Sequence, residues 1–188
     1  MPWDATISNV MSGEGELLAA GSPATTMDSE QFVAFYARSA RSLWAYLARV
    51  SRDATLADDL TQESYLRFLC ASHPADGEVA ARRYLFIIAT NLLRDHWRRP
   101  HASSLEEIPE EMFAAGSGSG RSESLVMLES AMAQMRPRDR QLLWLAYAEG
   151  YSHHEIAEIT GLASASVRLL LFRARRKMEC LLKKAGEV

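Results

Sequence analysis

The sequence predicts an all-α protein, built as two small helical domains joined by a flexible acidic linker. Three observations lead there. Strand-like alternation is nearly absent, and after residue 28 apolar residues recur at the spacing of one helix face. The stretch RRPHASSLEEIPEEMFAAGSGSGRSES interrupts that pattern with Pro100, Pro109, five glutamates and a Gly/Ser run, the composition of a tether. Basic charge collects at two predicted helix ends, Arg94 to Arg99 and Arg168 to Lys177. The expected boundaries are a flexible tail at 1–27, a first domain at 28–100, the linker at 101–123 and a second domain at 124–188.

With 188 residues, 48% of them hydrophobic, the chain has enough apolar material for one core or two small ones. No run approaches the roughly 18 consecutive apolar residues of a membrane span, and the start lacks an export pattern, so the expected location is cytoplasmic. The cysteines, Cys70 and Cys180, stand outside any CxxC pair. Cys70 precedes His73 at a ligand-like spacing, but no second Cys or His pair is nearby, so neither metal nor cofactor is expected.

The net charge of −3 masks a segregation along the chain. The first 27 residues hold three acids and no base, and 28–100 hold ten bases against nine acids. Residues 101–150 hold four bases against eight acids, and 151–188 seven against four. The second domain is therefore basic behind an acidic connector.

In order, the first domain is expected to hold about four helices. DSEQFVAFYARSARSLWAYLARVS opens with a cap at Asp28 or Ser29 and spaces Phe32, Phe35, Tyr36, Leu43, Tyr46 and Leu47 for a core. DATLADDLTQESYLRFLCAS sets Leu56, Leu60 and Phe68 on one side. Asp59, Gln62 and Glu63 share about 100° of arc on another, as a solvated face or an interface. VAARRYLFIIATNLLRDHWRRP ends in Arg94, His96, Trp97, Arg98 and Arg99 before Pro100 stops it. Terminal bases complement the helix dipole, while a tryptophan among arginines also suits stacking on unpaired nucleic acid.

In the second domain, LESAMAQMRPRDRQLLWLAYAEG supplies two helices separated near Arg136 and Pro137, with Leu142, Leu143, Leu145 and Tyr147 for packing. Ser152 and Glu155 match a capping box, Gly161 matches a left-handed helix stop, and Ser164 is the expected cap of the last helix. Val167, Leu171, Ala174 and Met178 keep one inward face, and Ala157 allows a close crossing. Ser164, Ala165, Ser166 and Arg168 point outward near the N-terminus of that helix. This is the pattern of a helix-turn-helix, although helical hairpins with a glycine turn also occur away from DNA. Arg173, Arg175, Arg176 and Lys177 add phosphate attraction. His153 and His154 are adjacent and are expected to be exposed.

Taken together, ADDLTQESYLRF, YLFIIATNLLRDHWRR, the acidic linker and RPRDRQLLWLAYAEGYSHHEIAEITGLASASVRLLLFRARRKM resemble the extracytoplasmic-function sigma factors of the sigma-70 family. The resemblance implies a transcription initiation factor with two promoter-reading regions. Region 2 binds the β′ clamp helices of bacterial core RNA polymerase and melts the minus-ten element; region 4 binds the β flap and reads the minus-thirty-five element. It implies core-polymerase contacts at Asp59, Gln62, Glu63 and Leu66. Minus-ten contacts fall on His73, Asn91, Arg94, Asp95, Trp97, Arg98 and Arg99, with the loop from His73 to Gly77 capturing a flipped base. Minus-thirty-five contacts fall on Ser164, Ser166, Arg168, Arg173, Arg175 and Arg176. Glu106, Glu107, Glu110 and Glu111 belong to the linker directed toward the RNA exit path.

The chain departs from the family pattern at Leu169, Leu170 and Phe172, where family members often carry a polar residue and arginine, and then a polar or small residue. Leu169 and Phe172 fall about 200° and about 140° from Val167, off the inward face. Apolar groups there replace no arginine contact and are expected to meet an anti-sigma factor or region 2 in an inactive state. A stand-alone helix-turn-helix repressor would bring a sensing domain, and none is visible. An enzyme using Asp58, Asp59, Glu63 and His96 is disfavoured because those groups are scattered over several faces with no phosphate loop, nucleophile elbow or ligand set.

Overall fold

The computed structural model describes residues 27–71, 77–98 and 123–186. Its helices are α1 Ser29–Ser51, α2 Ala54–Cys70, α3 Gly77–Arg98, α4 Glu123–Ala133, α5 Pro137–Leu143, α6 His153–Thr160 and α7 Ser164–Gly186. A π-helical turn, Trp144–Ala148, continues α5. The first domain thus shows three helices among the described residues, where about four were expected, because each of the three is long. His73, Arg99, the tail and the four linker glutamates lie outside the described residues.

Local chemistry fixes the helix ends. Asp28 caps α1 in a reciprocal box with Gln31, which satisfies two backbone N–H groups that the helix leaves unpaired. Asp53 accepts from Leu56 N at 2.9 Å and opens α2. Ser152 and Glu155 form the expected box on α6, and Gly161 closes it at φ 66°. Ser164 is the first residue of α7 rather than its cap; the carbonyl of Ala163 receives the N–H groups of Ser166 and Val167.

Packing follows the apolar stripes. Phe35, Leu43, Leu47, Phe68, Leu85 and Leu93 are fully buried among α1–α3, with the rings of Phe35 and Phe68 stacked at 5.1 Å. Burying each such side chain contributes about 1.5–3 kcal/mol. Leu142, Leu145, Ile156, Ile159, Val167 and Leu171 form the corresponding centre of the second domain. Two residues expected in the core lie outside it: Tyr36 is 47% exposed and Tyr147 63% exposed. Tyr36 lies against Tyr65, ring centroids 4.7 Å apart, so its ring closes the edge of the core.

The two centres merge into one continuous cluster, because α3 packs on α6 and α1 on α5. A polar set threads this junction. Gln141 Nε2 donates to the Tyr46 hydroxyl at 2.7 Å, and that hydroxyl lies 2.7 Å from Thr90 Oγ1. Arg140, 5% exposed, donates to Val50 O from Nη2 at 2.7 Å and to Met135 O from Nη1 at 2.8 Å. Val50 lies in the last turn of α1, whose carbonyls have no partner within their own helix, so a helix of one domain is capped by an arginine of the other.

Candidate nucleic-acid and polymerase interfaces

The helix-turn-helix is α6, the turn at Gly161 and α7. Val167, Leu171 and Ala174 are buried, which leaves Ser164, Ala165, Ser166 and Arg168 exposed on the opposite face. Arg173, Arg175 and Arg176 are exposed further along, and the Arg176 guanidinium lies 6.0 Å from the Phe172 ring centroid. Leu169 and Phe172 are 50% and 48% exposed. The expectation that they meet region 2 in the closed arrangement is therefore not met; geometry aims them away from the junction.

The C-terminal part of α3 carries the second cluster. Asn91 is exposed, Trp97 is 40% exposed, and Arg98 pairs with Asp95 at 3.2 Å. Arg94 instead reaches across the junction, donating from Nη2 to Thr160 O at 2.7 Å, the last carbonyl of α6. Upstream on the same helix, Arg82 pairs with Glu149 at 2.5 Å. Arg83 faces Glu155 at 3.6 Å and Glu158 at 3.1 Å. The Arg82 guanidinium also lies 5.6 Å from the Phe86 ring and 5.9 Å from Tyr151.

Burial shapes the titration of these groups. Glu149 is held above its usual range by burial, against the opposing effect of a 3.0 Å bond from Trp144 Nε1 and the charge of Arg82. Burial pushes Tyr46 and Tyr151 up to about 12. It pushes Arg140 down to about 10, which leaves the guanidinium charged at neutral pH. Glu155 is lowered by its bonds to Ser152, first from the backbone and then from the side chain.

The third surface lies on α2. Asp59 and Gln62 are exposed, and Glu63 accepts from Arg67 Nε at 2.7 Å. Leu66 and Leu69 stand beside them, 60% and 52% exposed. Polar and apolar groups side by side suit a protein partner. A neighbour, Asp58, is held by Trp44 Nε1 at 2.7 Å.

A groove of about 890 Å³ opens between α4, the π turn and α7, lined by Leu125, Leu128, Met132, Trp144, Tyr147 and Met178. Sequence reasoning missed it. The surplus of apolar residues in SLVMLESAM, more than one packed face needs, was the available signal. Among the described residues no cluster of His, Cys, Asp or Glu is arranged to hold a metal, and no helix is long and apolar enough to cross a membrane.

Residues 35–102 match sigma-70 region 2, and residues 125–178 match sigma-70 region 4. The RNA polymerase sigma factor CarQ of Myxococcus xanthus is 31% identical over 157 residues, covering 81% of this chain and 90% of that protein. The chain belongs to the extracytoplasmic-function sigma factors of the sigma-70 family. The ECF RNA polymerase sigma factor SigL of Mycobacterium tuberculosis is 27% identical over 183 residues, covering 90% of this sigma factor and 98% of SigL. Two solved structures share the fold. RpoE of Bartonella quintana in complex with the anti-sigma factor NepR has a TM-score of 0.67 at 20% identity, covering 82% of this chain and 98% of that one. CnrH in complex with the cytosolic domain of CnrY has a TM-score of 0.63 at 22% identity, covering 86% and 93%. This sigma factor is a transcription initiation factor that directs RNA polymerase to promoters.

Proposed function

We propose that this sigma factor uses its three surfaces separately, with region 2 at 28–100, the linker at 101–123 and region 4 at 124–188. Asp59, Gln62, Glu63 and Leu66 dock the β′ clamp helices. Asn91, Arg94, Asp95, Trp97 and Arg98, with His73 and Arg99, hold the melted minus-ten strand; an aromatic ring takes a base while the arginines take phosphates. Ser164, Ser166 and Arg168 enter the major groove of the minus-thirty-five element, and Arg173, Arg175 and Arg176 bind its backbone. The factor acts by binding, without chemistry of its own, in the cytoplasm. The observation that carries this reading is the split of α7 into a buried Val167, Leu171 and Ala174 face and an exposed serine and arginine face.

An anti-sigma partner is the best occupant for Leu169 and Phe172. Two large apolar side chains, about half exposed on a helix otherwise built for DNA, favour a protein, and RpoE of Bartonella quintana, which shares the fold, is solved in complex with the anti-sigma factor NepR.

The test is run-off transcription from genomic promoter fragments with purified core polymerase. Transcripts are expected only with the sigma factor. Arg168→Ala is expected to reduce output from promoters that need the upstream element while core binding is retained, and Asp59→Lys with Glu63→Lys to reduce core binding itself. Absence of core binding by the folded wild-type chain would overturn the reading.

A further inference from the structure

We propose that the apolar groove of the second domain is a docking site for the start of this same chain, residues 2–11, laid into it as a short amphipathic helix.

The groove between α4, the π turn and α7 holds more exposed apolar surface than packing within the domain explains. Leu125, Leu128 and Tyr147 are 51%, 41% and 63% exposed, and with Met132, Trp144 and Met178 they line about 890 Å³. A concave surface of this kind takes the apolar face of a helix. Its charges lean one way. Arg49 pairs with Glu129 at 2.8 Å and Lys183 with Glu179 at 2.8 Å, so four of the charged lining residues neutralise one another. Arg175, also in the lining and exposed, belongs to neither pair and leaves the groove a positive surplus.

The first residues of the chain carry the matching chemistry. Trp3, Ile7, Val10 and Met11 recur at i, i+4, i+7 and i+8, which is one helix face and the anchor spacing of a helix held in an apolar groove. Pro2 suits a first turn, Asp4 complements the positive end of a helix dipole, and Gly13 ends the pattern. Asp4, Glu14 and Glu16 stand in a stretch with no base, the complement of the surplus left by Arg175.

The tether is long enough. Met27 packs against the core at the start of α1, and Arg49, in the last turn of that helix, lines the groove. The helix rises about 30 Å between Ser29 and Arg49. Residues 12–26 cover up to about 50 Å when extended, so residues 2–11 arrive with slack. A segment tethered in this way meets its groove at an effective concentration of about 1 mM, and an intrinsic dissociation constant of about 0.1 mM then fills the groove about nine times in ten. Docking covers apolar surface that would otherwise drive association, and it reserves the groove for a partner able to displace a tethered occupant.

Methionine methyl resonances of the full chain provide the measurement. Met132 and Met178 line the groove, whereas Met135 is 3% exposed in the core and serves as the internal control. Trp3→Ser with Ile7→Ser removes two anchors while leaving every helix residue unchanged. It is expected to shift Met132 and Met178 and to leave Met135 in place. A labelled peptide of residues 1–18 is expected to bind this doubly substituted chain with a dissociation constant of about 0.1 mM, and the wild type about tenfold more weakly, because the wild type's own tail competes. Adding Tyr147→Glu, at a side chain 63% exposed, is expected to abolish peptide binding, whereas adding Leu169→Ser, on the outer face of α7, is expected to leave it unchanged.

Met132 and Met178 resonances that ignore the loss of Trp3 and Ile7 would overturn the proposal, as would a peptide that binds both chains equally or ignores Tyr147→Glu. Wild-type resonances that move toward those of the doubly substituted chain on dilution would assign the groove to a second copy instead of the chain's own tail, and the proposal would fall by that route too.

Discussion

At Tyr46 a single hydroxyl serves both domains. Its ring is fully buried, its oxygen joins Gln141 to Thr90, and burial holds the phenol neutral to about pH 12. The folded state therefore binds a proton that the unfolded state releases from about pH 10 upward, so stability is intact below that point and falls as pH rises toward 12. An alkaline titration of tyrosine absorbance is expected to show Tyr46 and Tyr151 ionising late or together with unfolding, and Tyr46→Phe is expected to remove one late step. That substitution also leaves Gln141 and Thr90 without a shared partner, at a cost of about 1–3 kcal/mol in denaturant melts. Arg140 is the second such residue. Arg140→Met abandons two buried carbonyls and is expected to cost about 2–4 kcal/mol; Arg140→Lys recovers only part, since one ammonium lacks the planar fork that spans Val50 and Met135.

Elements differ in how plainly the sequence announces them. The α6–α7 unit was legible because its signals are local: the Ser152 box, the Gly161 stop and the Val167, Leu171, Ala174, Met178 stripe all lie within one turn or one face. Ser152→Ala is expected to lower stability by about 1 kcal/mol. Gly161→Ala is expected to cost a similar amount through its positive φ, since an added Cβ meets Arg94 no closer than 3.8 Å; thermal melts check both. Leu169→Ser with Phe172→Ser is expected to leave the melting temperature within a degree or two, because both side chains are about half exposed, while weakening anti-sigma binding or altering promoter strength. Unchanged inhibitor binding and unchanged promoter strength together would remove the role assigned to that patch. Tyr36 and Tyr147 were misjudged for a physical reason: on a helix apolar around much of its girth, periodicity shows spacing but not which side meets solvent.

For the whole molecule, the part invisible in the sequence is the junction. Arg94 reads as a nucleic-acid contact from its neighbours Trp97 and Arg98, and nothing nearby announces a carbonyl 66 residues away. Arg140 likewise looks like one more surface arginine until α1 is laid beside α5. The charge count hinted at such contacts, since an acidic stretch that ends at Glu149 precedes a basic one, but charge carries no address. A pH prediction belongs at this scale too. Burial in the folded chain raises the affinity of Glu149 for its proton against the lowering effect of Trp144 and Arg82, so its contribution to stability is fullest at acid pH and is lost as pH rises past the ordinary carboxylate range. Denaturant melts of the wild type and of Glu149→Gln across that range check the sign.

The π turn at Trp144–Ala148 gives this a further consequence. Its wider winding brings residue i beside residue i+5, which is why Trp144 bonds Glu149 by both side chain and backbone. In an ordinary helix those two positions lie about 140° apart, and the carboxylate would swing off Arg82. The pairing is thus set by a count as well as a composition: the π turn absorbs one residue more than an α-turn would, and removing the exposed Ala148 would leave Trp144 and Glu149 four apart, about 40° from alignment in an ordinary helix, so the two partners stay on one face when the segment shortens by a single codon.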